Sequence, residues 1–468
     1  MSMNKVLTLA VILMAATTVF ADGLKVGFGR VDVTPPLGTG LSGYFHERLA
    51  DGILDPLEAN AVAFSDGEKS AVVISIDIIN LRAYFGLYRE EIAKATGLDK
   101  DAVFLACTHT HTGPVLGGNW SYGQVAANRD LMSLYGNFLG TRLADAAKLA
   151  LDDLAPAKLS IGRGEAKGLS FIRRYRMKDG KVRTNPGRGN PDIACPIGSP
   201  DEEIQLVRID REGRDTIALV NWQCHPDTIG GTKISADWPR VVRDTVERAI
   251  DGVKCVFING AQGDTNHICT DKDHAGPASR LVHWHMGRAV AGAALGIWDS
   301  CRPVAAGKVG FGVAMTRVPS NRAKPEELPE AHRLMDLYNA NNNDPKIPGA
   351  GMERTTNLAA AKRMVSLENG PDFFEFPLSA VTVGDAIAFA GFPGEPFTAY
   401  GVSVKKGSPF KMTIPACLVN GNFGYLPVDE SFREGGYEAR GSLFKEGLEA
   451  AIVDGHLNQL GKLCGKRR

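Results

Sequence analysis

The sequence lacks an excess of charge of either sign, since 53 lysine and arginine residues balance 53 aspartate and glutamate residues. Proteins that bind nucleic acid or anionic lipid usually carry a basic patch that leaves such an excess, so the balance argues against both partners. Internal repeats and low-complexity segments are missing as well. With 44% hydrophobic residues among 468, the chain is expected to form a large core, in one domain or in two smaller ones.

Long apolar runs are missing after the N-terminus, so no later segment has the ~20 apolar residues that a membrane-spanning helix needs. The N-terminus itself carries Lys5, an apolar run at residues 6–20 and small residues around Ala21. This order is typical of a secretory signal peptide over residues 1–21, and a buried N-terminal helix is the alternative. We therefore expect an exported protein, periplasmic or extracellular, with no stable membrane anchor and a mature chain of residues 22–468.

Closely spaced cysteine pairs are also missing: the eight cysteines are scattered, and no CxxC unit indicates a zinc ribbon. In an exported chain they could pair in disulfides, and the sequence does not fix which of them would pair. Cys107, Cys224 and Cys255 lie in apolar runs that are equally typical of buried thiols.

The chain does contain apolar runs that end in polar loops. Four such runs occupy residues 70–80, 102–114, 216–228 and 254–267, and helical patterns lie between them at residues 130–154 and 238–250. Alternating strands and helices, with polar groups at the strand ends, predict an α/β fold. We expect layered mixed sheets with flanking helices and a functional site at the strand ends.

Residues 319–369 differ from the rest of the chain, because they are polar and place an Asn-rich loop after a helical pattern. We interpret this segment as an insertion or a lid, and a solvated helix pair is the alternative. Apolar strands resume at residues 373–397, where a Val-Gly-Asp turn predicts a β-hairpin.

Histidine is scarce, with ten residues in the chain, yet three histidines follow predicted core strands. His109 and His111 are two positions apart, so in an extended segment both side chains point the same way and can approach one centre. His225 ends another apolar run. Hydrogen-bonded core histidines are one interpretation, and a metal site of histidines and a carboxylate is the other. Glu395, in a Gly-Pro turn, is the candidate carboxylate, although it could instead cap the following helix.

Six segments, taken in order, resemble the neutral, non-lysosomal ceramidase family, and the resemblance extends from Lys25 to about Phe444. They are GFGRVDVTPPLGTGLSGY (27–44), THTHTGP (108–114), NWQCHPD (221–227), GAQGDTN (260–266), FPGEPF (392–397) and NGNFGYLPVDESFREGGYEARGS (420–442). Each motif is short, and the specificity of the match comes from their common order. Because the chain ends soon after the last motif, we expect a divergent catalytic domain without the family's immunoglobulin-like C-terminal domain.

The resemblance implies that one zinc ion is bound by four residues: His109, His225, Glu395 and Tyr425. By itself Tyr425 would be interpreted as a core aromatic residue, so this assignment depends on the family. The resemblance also places three groups around the reacting carbonyl: His111, Tyr437 and an arginine of the FIRRYR segment. We assign that arginine to Arg174, and its neighbour Arg173 stays open as an alternative.

These residue types suit the cleavage of an amide or an ester. Zinc activates water and polarises a carbonyl, so no protein nucleophile is needed. A histidine beside the metal can protonate the departing amide nitrogen, and tyrosine and arginine can stabilise the oxyanion. The sequence therefore predicts an exported zinc-dependent hydrolase, a ceramidase-like amidase of N-acyl bonds, acting on a small-molecule, lipid or glycan substrate.

The GAQGDTN loop departs from the family, because it is short and offers Thr265 where the family has a serine. Thr265 could replace that serine, or the role could be absent, so a preference for ceramide is in doubt. Two alternatives stay open: a zinc hydrolase of the same fold that acts on a glycan or an ester, and a non-catalytic binding protein that keeps the metal as a structural staple. The sequence leaves the oligomeric state undetermined.

Overall fold

The structure is a computed structural model that describes residues 23–116, 129–270 and 282–465. The predicted signal peptide, residues 1–21, lies outside the described residues. Within these ranges no helix combines the length and the apolar character required to cross a membrane.

The helices and strands of the described residues are as follows. The helices are α1 (Tyr84–Thr96), α2 (Arg129–Asp152), α3 (Trp238–Ala249), α4 (His283–Gly296), α5 (Leu328–Ala340), α6 (Met352–Ser366), α7 (Thr398–Gly407), α8 (Asp429–Glu434), α9 (Tyr437–Gly441) and α10 (Leu448–Leu463). The strands are β1 (Lys25–Asp32), β2 (Gly52–Ile53), β3 (Glu58–Ser65), β4 (Ser70–Ile76), β5 (Val103–Cys107), β6 (Ala155–Glu165), β7 (Phe171–Ile172), β8 (Arg174–Met177), β9 (Val182–Thr184), β10 (Ile193–Pro196), β11 (Glu203–Arg211), β12 (Thr216–Trp222), β13 (Lys233–Ile234), β14 (Val253–Asn259), β15 (Thr265–Asn266), β16 (Arg302–Val304), β17 (Val309–Pro319), β18 (Phe373–Val383), β19 (Ile387–Gly391), β20 (Glu395–Pro396), β21 (Met412–Ala416) and β22 (Tyr425–Leu426).

The largest sheet formed by the described residues is nine-stranded and mixed, with the order β14-β12-β11-β6-β1-β3-β4-β5 and β16 beside β6. Its two halves meet at β1 and β6, where Lys25 and Val26 pair with Pro156 and Ala155. Each outer edge ends in a parallel pair, β4 with β5 and β12 with β14. Strands buried on both faces have nearly continuous apolar sequences, and these four strands are mostly apolar with one or two polar residues in three of them. The predicted α/β fold class is confirmed.

A second, four-stranded sheet has the order β17-β18-β19-β21 and contains the predicted hairpin, β18 with β19. Its third pair, β19 with β21, is again parallel. One apolar cluster joins this sheet to both halves of the large sheet, and it includes Phe64, Phe104, Val256, Phe389 and Ile414. The two sheets are therefore layered face to face around a common core.

Helices cover the outer faces of both sheets. α1 and α2 pack on the half that contains β1, β3, β4 and β5, and α3 and α4 pack on β11, β12 and β14. α7 and α10 pack on the four-stranded sheet. Gly27 and Gly29 of β1 let α2 lie directly on the strand, because a Cβ atom at either position would overlap the backbone of Ala146 or Ala150. Close packing against α2 thus gives a physical reason for the GFG sequence in the first motif.

Hydrogen bonds bring the carboxyl ends of the parallel strands together. The Asn259 side chain, at the end of β14, donates to the carbonyl oxygens of Thr108 and Cys224, at 2.9 and 3.2 Å. The Cys417 amide donates to the carbonyl oxygen of Asn259, and the Asn420 amide donates to that of Leu105. The loops after β5, β12, β14 and β21 consequently meet at one place.

All eight cysteines lie in described residues, and none of them forms a disulfide. Cys107, Cys224 and Cys255 are buried among apolar neighbours, as their sequence context suggests.

Candidate metal centre

His109 and His225 occupy the loops that directly follow β5 and β12, and both side chains are almost completely buried. The Nδ1 atom of each ring lies 2.9 Å from a backbone carbonyl oxygen, that of Ile79 for His109 and that of Gln262 for His225. Because Nδ1–H donates to these carbonyls, the Nε2 lone pair of each ring is available for a metal. The strand ends therefore orient two imidazole ligands before any metal binds.

The backbone at this site is strained. His109 has φ = 77°, in the left-handed region that a residue with a Cβ atom rarely adopts. Its amide donates to the carbonyl oxygen of Ile78 at 3.0 Å, which helps to hold the conformation. Gly43, with φ = 107°, lies against the third histidine, and a Cβ atom there would come within 2.7 Å of the His111 side chain. Gly43 adopts its positive φ without strain, whereas the strain at His109 is of the kind found at functional sites.

Glu395 supplies the carboxylate. It lies in β20, which pairs in parallel with β22 and sets Glu395 beside Tyr425. Its Oε2 atom is 3.2 Å from Nε2 of both His109 and His225. Burial, followed by the nearby Arg173, lowers the pKa of His225 to about 3, so this ring is neutral near pH 7. An ionised carboxylate and two imidazole lone pairs that converge in this way form the donor set of a metal site.

His111 completes a group of three histidines whose ligand nitrogens all lie within 4.8 Å of one another. Its Nε2 atom is 3.4 Å from Nε2 of His109, and its Nδ1 atom is 3.6 Å from a carboxylate oxygen of Asp227. The Tyr44 hydroxyl donates to the same Asp227 oxygen at 2.7 Å. Asp227 and Tyr44 therefore lie on the side of the His111 ring that faces away from His109.

The spacing of these atoms fits zinc. Tetrahedral zinc with bonds of about 2.0–2.1 Å holds its ligand atoms about 3.3 Å apart. Among the proposed ligands, the contacts of Glu395 Oε2 with Nε2 of His109 and of His225 both measure 3.2 Å. The donor set and its dimensions thus suit a small divalent cation with nitrogen and oxygen ligands.

Arg173 brings a positive charge to the edge of this cluster. Its Nη1 atom is 3.3 Å from Nε2 of His225, and its guanidinium lies 5.2 Å from the centre of the Tyr425 ring. It donates to Glu438 at 2.7 Å and to the carbonyl oxygen of Gly263 at 2.8 Å. Burial and the nearby Glu395 raise the pKa of Tyr425, whereas Arg173 opposes that shift.

Arg174, to which the sequence analysis assigned the catalytic arginine, points elsewhere. Its guanidinium donates to the Ser431 hydroxyl at 2.7 Å and to the carbonyl oxygen of Gly435 at 2.9 Å, and it pairs with Glu434 at 3.2 Å. These contacts hold the turn between α8 and α9. The structure therefore places Arg173, and not Arg174, beside the histidines. Neighbouring residues of an extended segment face opposite sides, so only one of the two could reach the site.

A cavity of about 580 Å³ opens beside the three histidines, Glu395 and Arg173. Tyr437 lines it, with its ring 5.4 Å from that of Tyr425 and 6.1 Å from that of Phe45. Thr265 does not reach the cavity lining: it is buried, and its hydroxyl donates to the carbonyl oxygen of Gln262 at 3.3 Å. Of the predicted residues, five line the cavity: His109, His111, Glu395, Tyr425 and Tyr437. His225 contacts two lining residues, Glu395 and Arg173.

Sequence reasoning missed one wall of this cavity. Helix α6, inside the polar segment 319–369, contributes six lining residues: Met352, Thr355, Ala359, Lys362, Arg363 and Ser366. α6 also packs on α5 through Leu358, Ala361 and Leu334. The recurrence of these lining residues every three or four positions is a helical signal, but the sequence does not show what that face contacts.

No protein-family model and no curated protein matches the chain. Two solved structures are similar to it over 94% of its length. Neutral ceramidase from Pseudomonas aeruginosa has a TM-score of 0.67 at 17% identity, with 75% of that chain covered. A ceramidase complexed with C2 has a TM-score of 0.67 at 16% identity, with 76% of that chain covered. At this level of identity the likeness concerns the fold, and the resemblance inferred from the sequence is confirmed: this chain has the fold of neutral ceramidase.

Proposed function

We propose that this protein is an exported zinc-dependent hydrolase that cleaves an amide (N-acyl) bond. The observation that carries the proposal is the convergence of buried histidine nitrogens and the Glu395 carboxylate at the side of a cavity, in a chain with the neutral ceramidase fold. Both neighbouring structures are named as ceramidases, enzymes whose name denotes an amide substrate.

Four residues would hold the zinc: His109, His225, Glu395 and Tyr425. When bound, the metal would supply an activated water and a Lewis acid for the scissile carbonyl. The backbone carbonyls of Ile79 and Gln262 fix the two histidine rings, so binding of the metal costs little side-chain conformational entropy. His109, His225 and Glu395 are all buried, so little of their surface is in contact with solvent.

His111 is the proton donor of the proposal. It faces the cavity, and Asp227 lies on the Nδ1 side of its ring, 3.6 Å away. Burial lowers the pKa of His111, so its ring is neutral near pH 7. With the ring proton on Nδ1, facing Asp227, the Nε2 atom can take up a proton and pass it to the departing amide nitrogen, which leaves poorly without one. The Tyr44 hydroxyl donates a hydrogen bond to Asp227 and so holds that carboxylate beside the His111 ring.

Arg173 and Tyr437 would act on the carbonyl side of the substrate. Tyr437 lines the cavity and can donate its hydroxyl proton in a hydrogen bond to the developing oxyanion. Arg173 is held by Glu438 and Gly263, so its charge is fixed beside His225 and Tyr425. This preorganised charge favours an anionic Tyr425 and an anionic transition state.

The test separates binding of metal from catalysis. The mature chain is purified with zinc and assayed against N-acyl amides, esters and glycosides, and its metal content is measured by elemental analysis. We expect His225→Ala to lose most of its zinc and its activity, and His111→Ala to keep zinc and lose turnover. The matched control is His332→Ala, because His332 lies on α5 and pairs with Glu368 at 2.9 Å, away from the site.

Each alternative gives a different result. Turnover of esters or glycosides without amides would replace the proposed bond with another one in the same active site. Zinc binding without turnover of any compound would favour the metal-stapled binding protein. Equal zinc content in His225→Ala and wild type would contradict the ligand assignment.

A further inference from the structure

The segment from Ser235 to Trp238 leads from β13 into α3 and contacts both of the loops that carry the histidines. Its four residues are buried, and none of them is among the described residues that line the cavity. The proposed chemistry gives this segment no part. It can therefore act on the histidines only through the loops to which they belong.

The Asp237 carboxylate holds the loop that carries His225. One carboxylate oxygen accepts hydrogen bonds from the amides of Thr228 and Ile229, at 2.9 and 3.0 Å. The other oxygen accepts from the Thr228 hydroxyl and from the amide of Trp238. The indole nitrogen of Trp238 donates to the carbonyl oxygen of His225 at 3.4 Å. These bonds fix the path of the chain just after a proposed metal ligand.

The same loop reaches the proposed proton donor. The His111 amide donates to the carbonyl oxygen of Pro226 at 3.1 Å, and an oxygen of Asp227 lies 3.6 Å from Nδ1 of the His111 ring. A displacement of residues 225–229 would therefore move a metal ligand and the groups that hold His111 together.

The carbonyl oxygen of Ser235 holds the other histidine loop, the one after β5. It accepts hydrogen bonds from the hydroxyls of Thr110 and Thr112, at 2.7 and 3.0 Å. These two buried threonines flank His111 in the THTHTGP motif, and Thr112 also forms a backbone bridge with Ser235. The threonines of the motif thus tie its histidines to a residue two positions before Asp237.

Asp237 keeps a backbone conformation that is unfavourable for a residue with a Cβ atom. Its φ and ψ angles are 61° and −158°, a region that glycine alone adopts readily. Its amide donates to the Ser235 hydroxyl at 2.9 Å, and Asp55 accepts hydrogen bonds from that hydroxyl and from the Ala236 amide. Strain of this kind persists where surrounding contacts hold it, and it concentrates at functional sites.

We infer that Asp237 is a positioning residue of the proposed active site, which fixes the loop of His225 against the loop of His109 and His111. This inference rests on the proposed zinc hydrolase and adds to it a residue that touches neither the metal nor the substrate. The carboxylate carries the role, because its two oxygens accept four hydrogen bonds. An amide at this position would have one acceptor oxygen for the same donors.

The test measures zinc affinity by competition with a chelator, below the melting temperature of every variant. Asp237→Asn keeps the shape of the side chain and loses one acceptor oxygen, so we expect the affinity to fall about tenfold. Asp237→Gly adopts the positive φ without strain and lacks the carboxylate. An affinity reduced by about tenfold or more in Asp237→Gly would therefore come from the lost hydrogen bonds.

The matched control is Asp66, in the turn between β3 and β4. Its carboxylate also accepts hydrogen bonds from backbone amides, those of Glu68, Lys69 and Val309, but it lies at the opposite end of β4 from the histidines. Asp66→Asn and Asp66→Gly should leave zinc affinity unchanged. Thermal melts of the metal-free proteins report the stability of each variant. Lower melting temperatures with unchanged zinc affinity in both Asp237 variants would show a purely structural role and overturn the inference.

A second variant tests the other loop. Thr112→Val keeps the volume of the side chain and removes the hydroxyl that donates to Ser235. With saturating zinc, kcat for an N-acyl amide should fall about tenfold while KM stays near that of wild type, because the loss concerns the position of His111. Thr112→Ser, which keeps the hydroxyl, should restore most of the turnover. Equal kcat in Thr112→Val and wild type would overturn the link between the two loops.

The inference and the hydrolase proposal fail in different ways. A wild-type protein that binds zinc and hydrolyses nothing would contradict the hydrolase, and the zinc affinities of the Asp237 variants would still decide the role of Asp237. Wild-type affinity in Asp237→Asn and Asp237→Gly, together with turnover of an amide, would overturn the inference and leave the hydrolase intact. A wild-type protein that binds no zinc would contradict both.

Discussion

The histidine end of the cavity and the wall formed by α6 are built in different ways. His109 and His225 sit at the ends of buried parallel strands, and hydrogen bonds to backbone carbonyls fix their rings. Lys362 and its neighbours project from a helix that packs on the rest of the protein through few large apolar side chains. The strand ends are thus suited to fix the positions of metal ligands to within tenths of an ångström. The helix is suited to present side chains that can be substituted without moving those ligands.

In the proposed hydrolase, this difference would separate two tasks, the chemical step and the selection of the substrate. The chemistry depends on exact distances, such as the 3.2 Å contacts of Glu395, and a rigid sheet supplies them. Selection of substrate depends on the charge and shape of the wall, which a helix can change without moving the metal site. We therefore expect mutations at the two ends of the cavity to differ in kind as well as in size.

The largest effect is expected at the carboxylate. Glu395→Gln keeps the shape of the side chain and removes its charge, so zinc content should fall sharply and kcat/KM by about a thousandfold. Elemental analysis and amide turnover check the two outcomes. Glu375→Gln is the control, because Glu375 is exposed in β18. Full zinc content and full activity in Glu395→Gln would show that the strand-end site is not the metal site.

Removal of the bound metal should also impair the histidine end of the cavity. Dialysis against a chelator should abolish turnover and lower the melting temperature, since a ligand bound only by the folded state stabilises it by mass action. Addition of zinc should restore both. A chain whose activity survives complete removal of metal would contradict the proposed chemistry.

A smaller effect is expected at the arginine beside the histidines, and it distinguishes Arg173 from its neighbour Arg174. Arg173→Lys keeps a positive charge but loses the planar fork that contacts His225, Glu438 and Gly263, so kcat/KM should fall by about a hundredfold. Arg174→Lys loses bonds to Ser431 and Gly435 and should cost about 1–3 kcal/mol of unfolding free energy, with turnover little changed. Kinetics and chemical denaturation measure the two effects. The reverse pattern would return the catalytic role to Arg174.

These two arginines show where sequence reasoning stops. The cluster of His109, His225 and Glu395 could be predicted because each of them follows an apolar strand, and because parallel strands end on the same edge of a sheet, whereas Tyr425 was assigned only through the family resemblance. The choice between Arg173 and Arg174 depends on which side of one short extended segment faces the site. That orientation follows from contacts with residues that lie far along the chain, such as Glu438 and Ser431. The sequence around Arg173 and Arg174 does not indicate such contacts.

The same holds for the fold: several of its strands could be predicted from the sequence, but some of the contacts between its elements could not. Apolar runs gave the parallel strands β4, β5, β12 and β14, and the Val-Gly-Asp turn gave the hairpin of β18 and β19. The weak junction of the sheet at β1 and β6 was not predictable, because it consists of two residue pairs. The position of α6 was also missed, because a polar helix shows the spacing of its faces and not the surface that it covers.

The shape of the wall should matter for long lipids. We predict that long-chain ceramide is hydrolysed less efficiently than short or polar N-acyl compounds, because a cavity of about 580 Å³ with charged groups on one wall suits a smaller and more polar ligand. The measurement is the ratio of kcat/KM for ceramide to that for a short N-acyl compound. Ala359→Leu, which enlarges a lining residue of α6, should lower this ratio about fivefold further. Ceramide as the best substrate by a wide margin would contradict the prediction.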